Sequence, residues 1–140
     1  MNKLYQAEVT AQGGREGKVL STDGIIDMEV RMPEGLGGKG GEYTNPEQLF
    51  AAGYSACFDG ALNLVARMRK IRLQGSETTA NVAIGKLDDD SLGLAVDLHV
   101  KVPGVEAEVA RELLQEAHQV CPYSKATRGN IEVNLHLVEA

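Results

Sequence analysis

The sequence predicts an α+β fold, and three observations carry that prediction. Several stretches alternate apolar and polar residues with a period of two. Two others repeat apolar residues at helical spacing. Breaks rich in Gly, Pro and Asp separate them. The order along the chain reads β-β-β-α-β-β-α-β, with antiparallel sheet and two packed helices. At 140 residues the chain suits one domain, 1–140, able to bury roughly two-thirds of its unfolded surface.

Residues 3–10 alternate and predict a first strand. Gln12-Gly13-Gly14-Arg15-Glu16-Gly17 reads as a hairpin loop leading to a short strand near 18–21. Asp23-Gly24 is a turn pair, and beyond it Ile26, Met28, Val30 and Met32 alternate with Asp27, Glu29 and Arg31 as a half-buried strand. A glycine-rich loop runs from Pro33 to Tyr43. It lacks the Gly-Lys-Ser/Thr ending of a phosphate-binding loop. It reads either as a plain connection or as the mouth of a site.

A long helix follows. Asn45 is a good N-cap, Pro46 fits the first helical position, and Gln48 closes a capping box. Helical character extends to about Arg69. The stretch from Leu49 to Phe58 is nearly apolar all round, so it calls for cover on several faces, and dimerisation would supply it. Residues 76–87 and 92–102 alternate and are joined by Asp88-Asp89-Asp90-Ser91, which predicts a long hairpin. Pro103-Gly104 breaks the chain; Val105, Val109, Leu113, Ala117 and Val120 then mark a second helix, which Pro122 ends just after Cys121. Ile131, Val133, Leu135 and Leu137 form the last strand.

The formal net charge of -6 argues against a nucleic-acid partner, which is itself a polyanion. The densest basic cluster, Arg67, Arg69, Lys70 and Arg72, reads as the rim of a helix end. No run of about 18 apolar residues predicts a membrane span, and the N-terminus has no apolar signal region. The expected setting is the cytoplasm, with no membrane partner. Two cysteines are too few for a disulfide scaffold, and neither they nor His99, His118 and His136 show metal-site spacing. Met28, Met32 and Met68 read as core filler rather than ligands.

Chemistry could reside in the thiols. Cys57 lies inside the apolar helix, where a free cysteine is commonly just a small buried hydrophobe. Cys121 sits at a helix end beside a proline, a place suited to a thiol that attacks an oxidised partner. Spacing does not show that the two sulfurs meet. A reactive thiol needs a nearby cation to become thiolate. Arg15, flanked by glycines, is a candidate, or else a solvated loop charge. Glu47 either complements the helix dipole or orients Arg15 through a bidentate pair. Glu47 and Cys57 are ten residues apart, about 15 Å along an unbroken helix. Either the helix breaks near Gly53, or Arg15 and substrate bridge the gap, or a partner chain contributes. His118, three residues before Cys121, is the one histidine near this chemistry.

The chain resembles the organic hydroperoxide resistance branch of the osmotically inducible protein (OsmC/Ohr) family over essentially its whole length. Three regions carry the resemblance: Gly13-Gly14-Arg15 with the paired glycines at 37–38 and 40–41, the block Asn45 to Phe58, and the block Ala117 to Asn130. The resemblance implies an intertwined homodimer, with two central helices wrapped by antiparallel β-sheets and active sites at the interface. It implies a peroxidatic Cys57, a resolving Cys121 and an activating Arg15–Glu47 ion pair. It further implies organic hydroperoxides as substrates, no bound cofactor, and recycling by an external dithiol, dihydrolipoamide or a lipoylated protein. Phe50, Tyr54 and Phe58 are candidates for an apolar wall around the substrate; Tyr123 and Arg128 read equally as groups near the site or as structural residues. A disulfide reductase is disfavoured because no Cys-x-x-Cys motif is present. A redox sensor that oxidises without turnover is the non-enzymatic alternative.

Overall fold

The structure, a computed structural model, describes residues 1–139. The chain divides into two compact units, Met1–Leu49 and Phe50 onward. The first holds an antiparallel sheet of three strands, β1 (Val9–Gln12), β2 (Lys18–Ser21) and β3 (Asp27–Glu29). The first strand is shorter than the alternation predicts. The pairing of β1 with β2 ends at Val9 opposite Ser21, and a last bond joins Thr22 N–H to the carbonyl of Glu8. The chain then turns away at Asp23-Gly24, so residues before Glu8 have no strand to pair with. A strand exists only where its ladder is filled. β3 is likewise short, and Val30 continues it as a single parallel bridge to Thr44.

The hairpin between β1 and β2 depends on glycine. Gly13 adopts φ +80°, and a Cβ at Gly17 would lie 1.7 Å from the carbonyl oxygen of Gln12. Only glycine permits this approach, and it closes the loop around a 3-10 turn at Gly14–Glu16 that carries Arg15.

The helix α1 (Pro46–Met68) is continuous through Gly53. Asn45 caps it as expected, with its Oδ1 accepting from Gln48 N–H at 2.8 Å. The reciprocal half of the capping box is replaced: Gln48 Oε1 accepts instead from the Thr44 hydroxyl at 2.7 Å. By length and mean hydropathy α1 is apolar enough to cross a membrane, although no unbroken apolar run predicts it. Core packing accounts for one face of that composition. Tyr54, Phe58, Ala61, Leu62, Val65 and Ala66 form a buried stripe at helical spacing.

In the second unit, β4 (Glu77–Lys86) and β5 (Leu92–Lys101) form the expected long hairpin. α2 (Ala107–Val120) and α3 (Pro122–Thr127) follow, and β6 (Glu132–Val138) completes the sheet. β6 is the exception to antiparallel pairing: it runs parallel to β5. Parallel neighbours need a long crossover, and α2 with α3 provides it. One face of β5 presents Val96, Leu98 and Val100, all fully buried with the α1 stripe and with Ala110, Leu113, Leu114 and Ala117 of α2. The α+β class is therefore as expected. Asp59 ties α1 to the start of β4 by accepting from the hydroxyls of Ser76 and Thr78, each at 3.0 Å. Arg69, at the end of α1, pairs with Glu112 and Glu116 of α2, so this part of the basic cluster does rim a helix end.

The buried stripe covers only one side of α1. Ala52, Ala56, Gly60, Leu64 and Met68, spaced four apart, are exposed. The expectation of cover on several faces is thus unmet within one chain. Met28 and Met68 are exposed at 42% and 73%, which corrects their reading as core filler.

Candidate active site

Two clusters bear on the chemistry. In the first unit, Arg15 on the hairpin turn meets Glu47 in the first turn of α1. Nη1 donates to Oε2 at 2.9 Å and Nη2 to Oε1 at 2.6 Å, a two-pronged fit of guanidinium to carboxylate. These hydrogen bonds hold the Glu47 carboxyl below the usual carboxylate range, against the opposing pull of desolvation. They raise the Arg15 pKa in turn. The side chains are 31% and 11% exposed. A pair open to water on its arginine side contributes little to stability, about 1 kcal/mol or less. The larger effect is orientation: both prongs fix the plane of the guanidinium.

In the second unit, α1 presents Cys57 and the α2–α3 corner presents Cys121. The two are separated by 64 residues in sequence, and their sulfurs lie 3.6 Å apart as free thiols. Cys57 is half-buried and Cys121 fully buried. Burial pushes the Cys57 thiol up, since the charged form loses water. The backbone N–H of Tyr123 pulls the other way, and the neighbouring Cys121 raises it further. Two adjacent sulfurs do not both ionise readily.

The corner itself is shaped by sequence. Cys121 caps α2 with its N–H on the Ala117 carbonyl at 2.8 Å, then takes an extended conformation at φ -62°, ψ 122°. Pro122 demands such a predecessor and starts α3. Around the corner lies a buried polar network. His118 Nδ1 is 2.8 Å from Ser124 Oγ, and the Tyr54 hydroxyl is 2.8 Å from Ser124 Oγ and 3.1 Å from Thr127 Oγ1. Arg128 donates to the His118 carbonyl at 3.0 Å. Burial, aided by Arg128, lowers the His118 pKa.

Gly53 does not break the helix, which was one of the three alternatives its position left open. A Cβ there would lie 2.6 Å from the Tyr123 hydroxyl, so the missing side chain makes room for that ring. Tyr123 also packs on Tyr54, with ring centroids 5.7 Å apart, and on Phe50 at 6.3 Å. Beside them is an apolar cavity of about 430 Å³, lined by Phe50, Leu94, Pro122, Tyr123, Ala126 and Ile131 among others. Of the three expected wall residues only Phe50 lines it; Tyr54 and Phe58 are fully buried core. Ser124 and Thr127 lie inside the Ala117–Asn130 block, but nothing in the sequence singles them out there. Among the described residues no cluster of His, Cys, Asp and Glu could hold a metal ion. His99 and His136 instead stack on each other at 4.6 Å, and His136 bonds to Asp97.

The profile of the OsmC-like protein family matches residues 38–136. An organic hydroperoxide resistance protein, OhrA of Bacillus subtilis, is 51% identical over 138 residues, covering 97% of each chain. This chain belongs to the OsmC/Ohr family. A second member, the organic hydroperoxide resistance protein of Xanthomonas axonopodis pv. citri, is 50% identical over 96% of this chain and 94% of its own. The crystal structure of another, from Elizabethkingia anophelis, superposes with a TM-score of 0.94 at 54% identity, covering all of both chains. Membership of the OsmC/Ohr family and two thiols 3.6 Å apart make this protein a cysteine-based peroxidase, an antioxidant oxidoreductase.

Proposed function

We propose that the enzyme reduces organic hydroperoxides to alcohols, with Cys57 as nucleophile and Cys121 as resolving thiol. The observation that carries this reading is the 3.6 Å approach of the two sulfurs. Cys57 thiolate attacks the peroxide oxygen distal to the organic group. The O–O bond breaks, Cys57 becomes a sulfenic acid, and the alkoxide takes a proton and leaves as alcohol. The Cys121 sulfur then attacks Cys57, a disulfide forms, and water departs. An external dithiol, dihydrolipoamide or a lipoylated protein, restores both thiols by exchange. The apolar cavity beside Tyr123 suits the organic portion of the substrate.

A thiol raised by burial needs positive charge to react, and Arg15, aimed by Glu47, is the proposed source. Because α1 is unbroken, Glu47 and Cys57 are about 15 Å apart along its axis. The proposal therefore places each site in a homodimer, with the ion pair of one chain serving the thiols of the other. The exposed stripe from Ala52 to Met68 supports this. The small residues Ala52, Ala56 and Gly60 allow two helices to approach closely, and an apolar stripe that continues through Leu64 and Met68 calls for a partner. In this arrangement residues 1–140 act as one peroxidase domain, and the expected compartment is the cytoplasm.

Purified protein given an alkyl hydroperoxide and a dihydrolipoyl reductant should consume peroxide over many turnovers. Oxidation that stops after one equivalent would favour the sensor reading instead. Ala56→Arg, placing a charge in the exposed stripe, should shift sedimentation from dimer toward monomer. An unmodified chain that sediments as a monomer would defeat the dimer.

A further inference from the structure

The network around Ser124 is arranged with respect to the two thiols in a regular way. Tyr54 lies three residues before Cys57 on α1; His118 lies three before Cys121 on α2; Ser124 lies three after it on α3. Residues three apart on a helix share a face. Each element that carries a reacting sulfur is therefore tied to the same Ser124 hydroxyl, at 2.8 Å on both sides. The His118–Ser124 bond crosses the Cys121–Pro122 corner as a strut. The Tyr54–Ser124 bond joins that corner to the helix of Cys57.

The donors form one directed series. His118 Nδ1–H donates to Ser124 Oγ, whose hydroxyl donates to Tyr54 Oη. Tyr54 donates to Thr127 Oγ1, and Thr127 donates to the Ser124 carbonyl at 3.2 Å. Every donor is used once, and no buried side-chain polar atom among the described residues lacks a partner. Tyr54 and Ser124 are both fully buried, so water cannot substitute for either bond. In such a medium a complete network is stiff, and its members reinforce one another.

We propose that Tyr54, Ser124 and His118 are positioning residues for the second chemical step: they hold Cys121 at attacking distance from oxidised Cys57 and so decide the fate of the sulfenic acid. Two reactions compete for it. In one, Cys57–SOH and Cys121–SH give the disulfide and water. In the other, a second hydroperoxide oxidises Cys57–SOH to the sulfinic acid and leaves as alcohol, and the thiol is lost to the cycle. The first depends on geometry; the second depends only on peroxide concentration. A misplacement of about 1 Å can cost an intramolecular reaction on the order of 10²-fold.

This inference rests on Cys57 being the oxidised thiol, and the test separates the two. Reduced protein is mixed with tert-butyl hydroperoxide in increasing excess, quenched at intervals, and the state of Cys57 is read by mass spectrometry. Tyr54→Phe removes one hydroxyl, and Ser124→Ala removes the hub. In both, the first oxidation should keep its rate within about twofold, while disulfide closure slows by about 10- to 100-fold and sulfinic acid grows with peroxide excess. The double variant should be no worse than the more severe single one, since both act through one network. Val100→Ala, which loosens the core on β5 without touching the network, should keep the partition of the unmodified protein. Equal partition in Tyr54→Phe, Ser124→Ala and the unmodified chain would overturn the inference. A Cys57 that stays a free thiol in the unmodified chain, with neither disulfide nor oxygen acid formed, would overturn the underlying reading as well.

Discussion

Replacing Cys57 by serine is expected to abolish peroxide turnover, by about 10⁴-fold or more. The hydroxyl is isosteric enough to leave α1 intact, because Cys57 is only half-buried and its neighbours Tyr54 and Phe58 hold the helix in the core. What is lost is the ionisable sulfur. Steady-state consumption of an alkyl hydroperoxide, with circular dichroism as the check on folding, measures this. Full turnover by the variant would move the nucleophile elsewhere. Cys121→Ser should behave differently. Its first oxidation should survive, because the proposed role of Cys121 begins only at disulfide formation, and recycling should fail.

Replacing Arg15 by alanine is expected to lower kcat/KM by about 10²–10³-fold, the usual cost of removing a donor that faces developing negative charge. The pH dependence should move as well, and its sign follows from the environment. Burial already pushes the Cys57 thiol up. A cation favours the thiolate, so its removal takes that support away and shifts the midpoint of thiol alkylation upward. Glu47 does not contribute to that profile near neutrality. Its folded pKa is lowered by Arg15, so the contribution of the pair is present above the ordinary carboxylate value of about 4.3. It disappears only as pH falls through the lower folded value. Mixed dimers extend the test. A chain with Arg15→Ala paired with a chain carrying Cys57→Ser retains one complete site if the ion pair acts across the interface. It should recover about half the activity of the unmodified dimer. No recovery would place the ion pair and thiol in the same chain.

Much of the fold was legible before any coordinates. The β4–β5 hairpin, α2 and β6 follow from alternation and helical spacing, and the start of α1 follows from Asn45 and Pro46. These signals are local, so a single sequence carries them. The departures are non-local. Residues before Glu8 alternate but find no partner strand. The parallel pairing of β6 depends on the route of the α2–α3 crossover. The apolar run in α1 shows that much must be covered, but not that one face is left bare within the chain.

The site divides in the same way. Four residues stood out from the quoted blocks, and the structure joins them in pairs: Arg15 with Glu47, and Cys57 with Cys121. The expected apolar wall was read less well. Aromatic residues on one helix do not reveal which face is core, and Tyr54 and Phe58 proved to be inside. The hydroxyl network was invisible because Ser124 and Thr127 are ordinary in composition. Their meaning lies in their distances to Tyr54 and His118, from elements far apart in sequence.

The intact mass of the reduced protein after one equivalent of an alkyl hydroperoxide tests the two-thiol mechanism most directly. The expected result is loss of two hydrogen atoms per chain, a Cys57–Cys121 peptide pair on digestion, and one alcohol released per chain. A chain that keeps its mass, or gains oxygen with both thiols still unlinked, would contradict it.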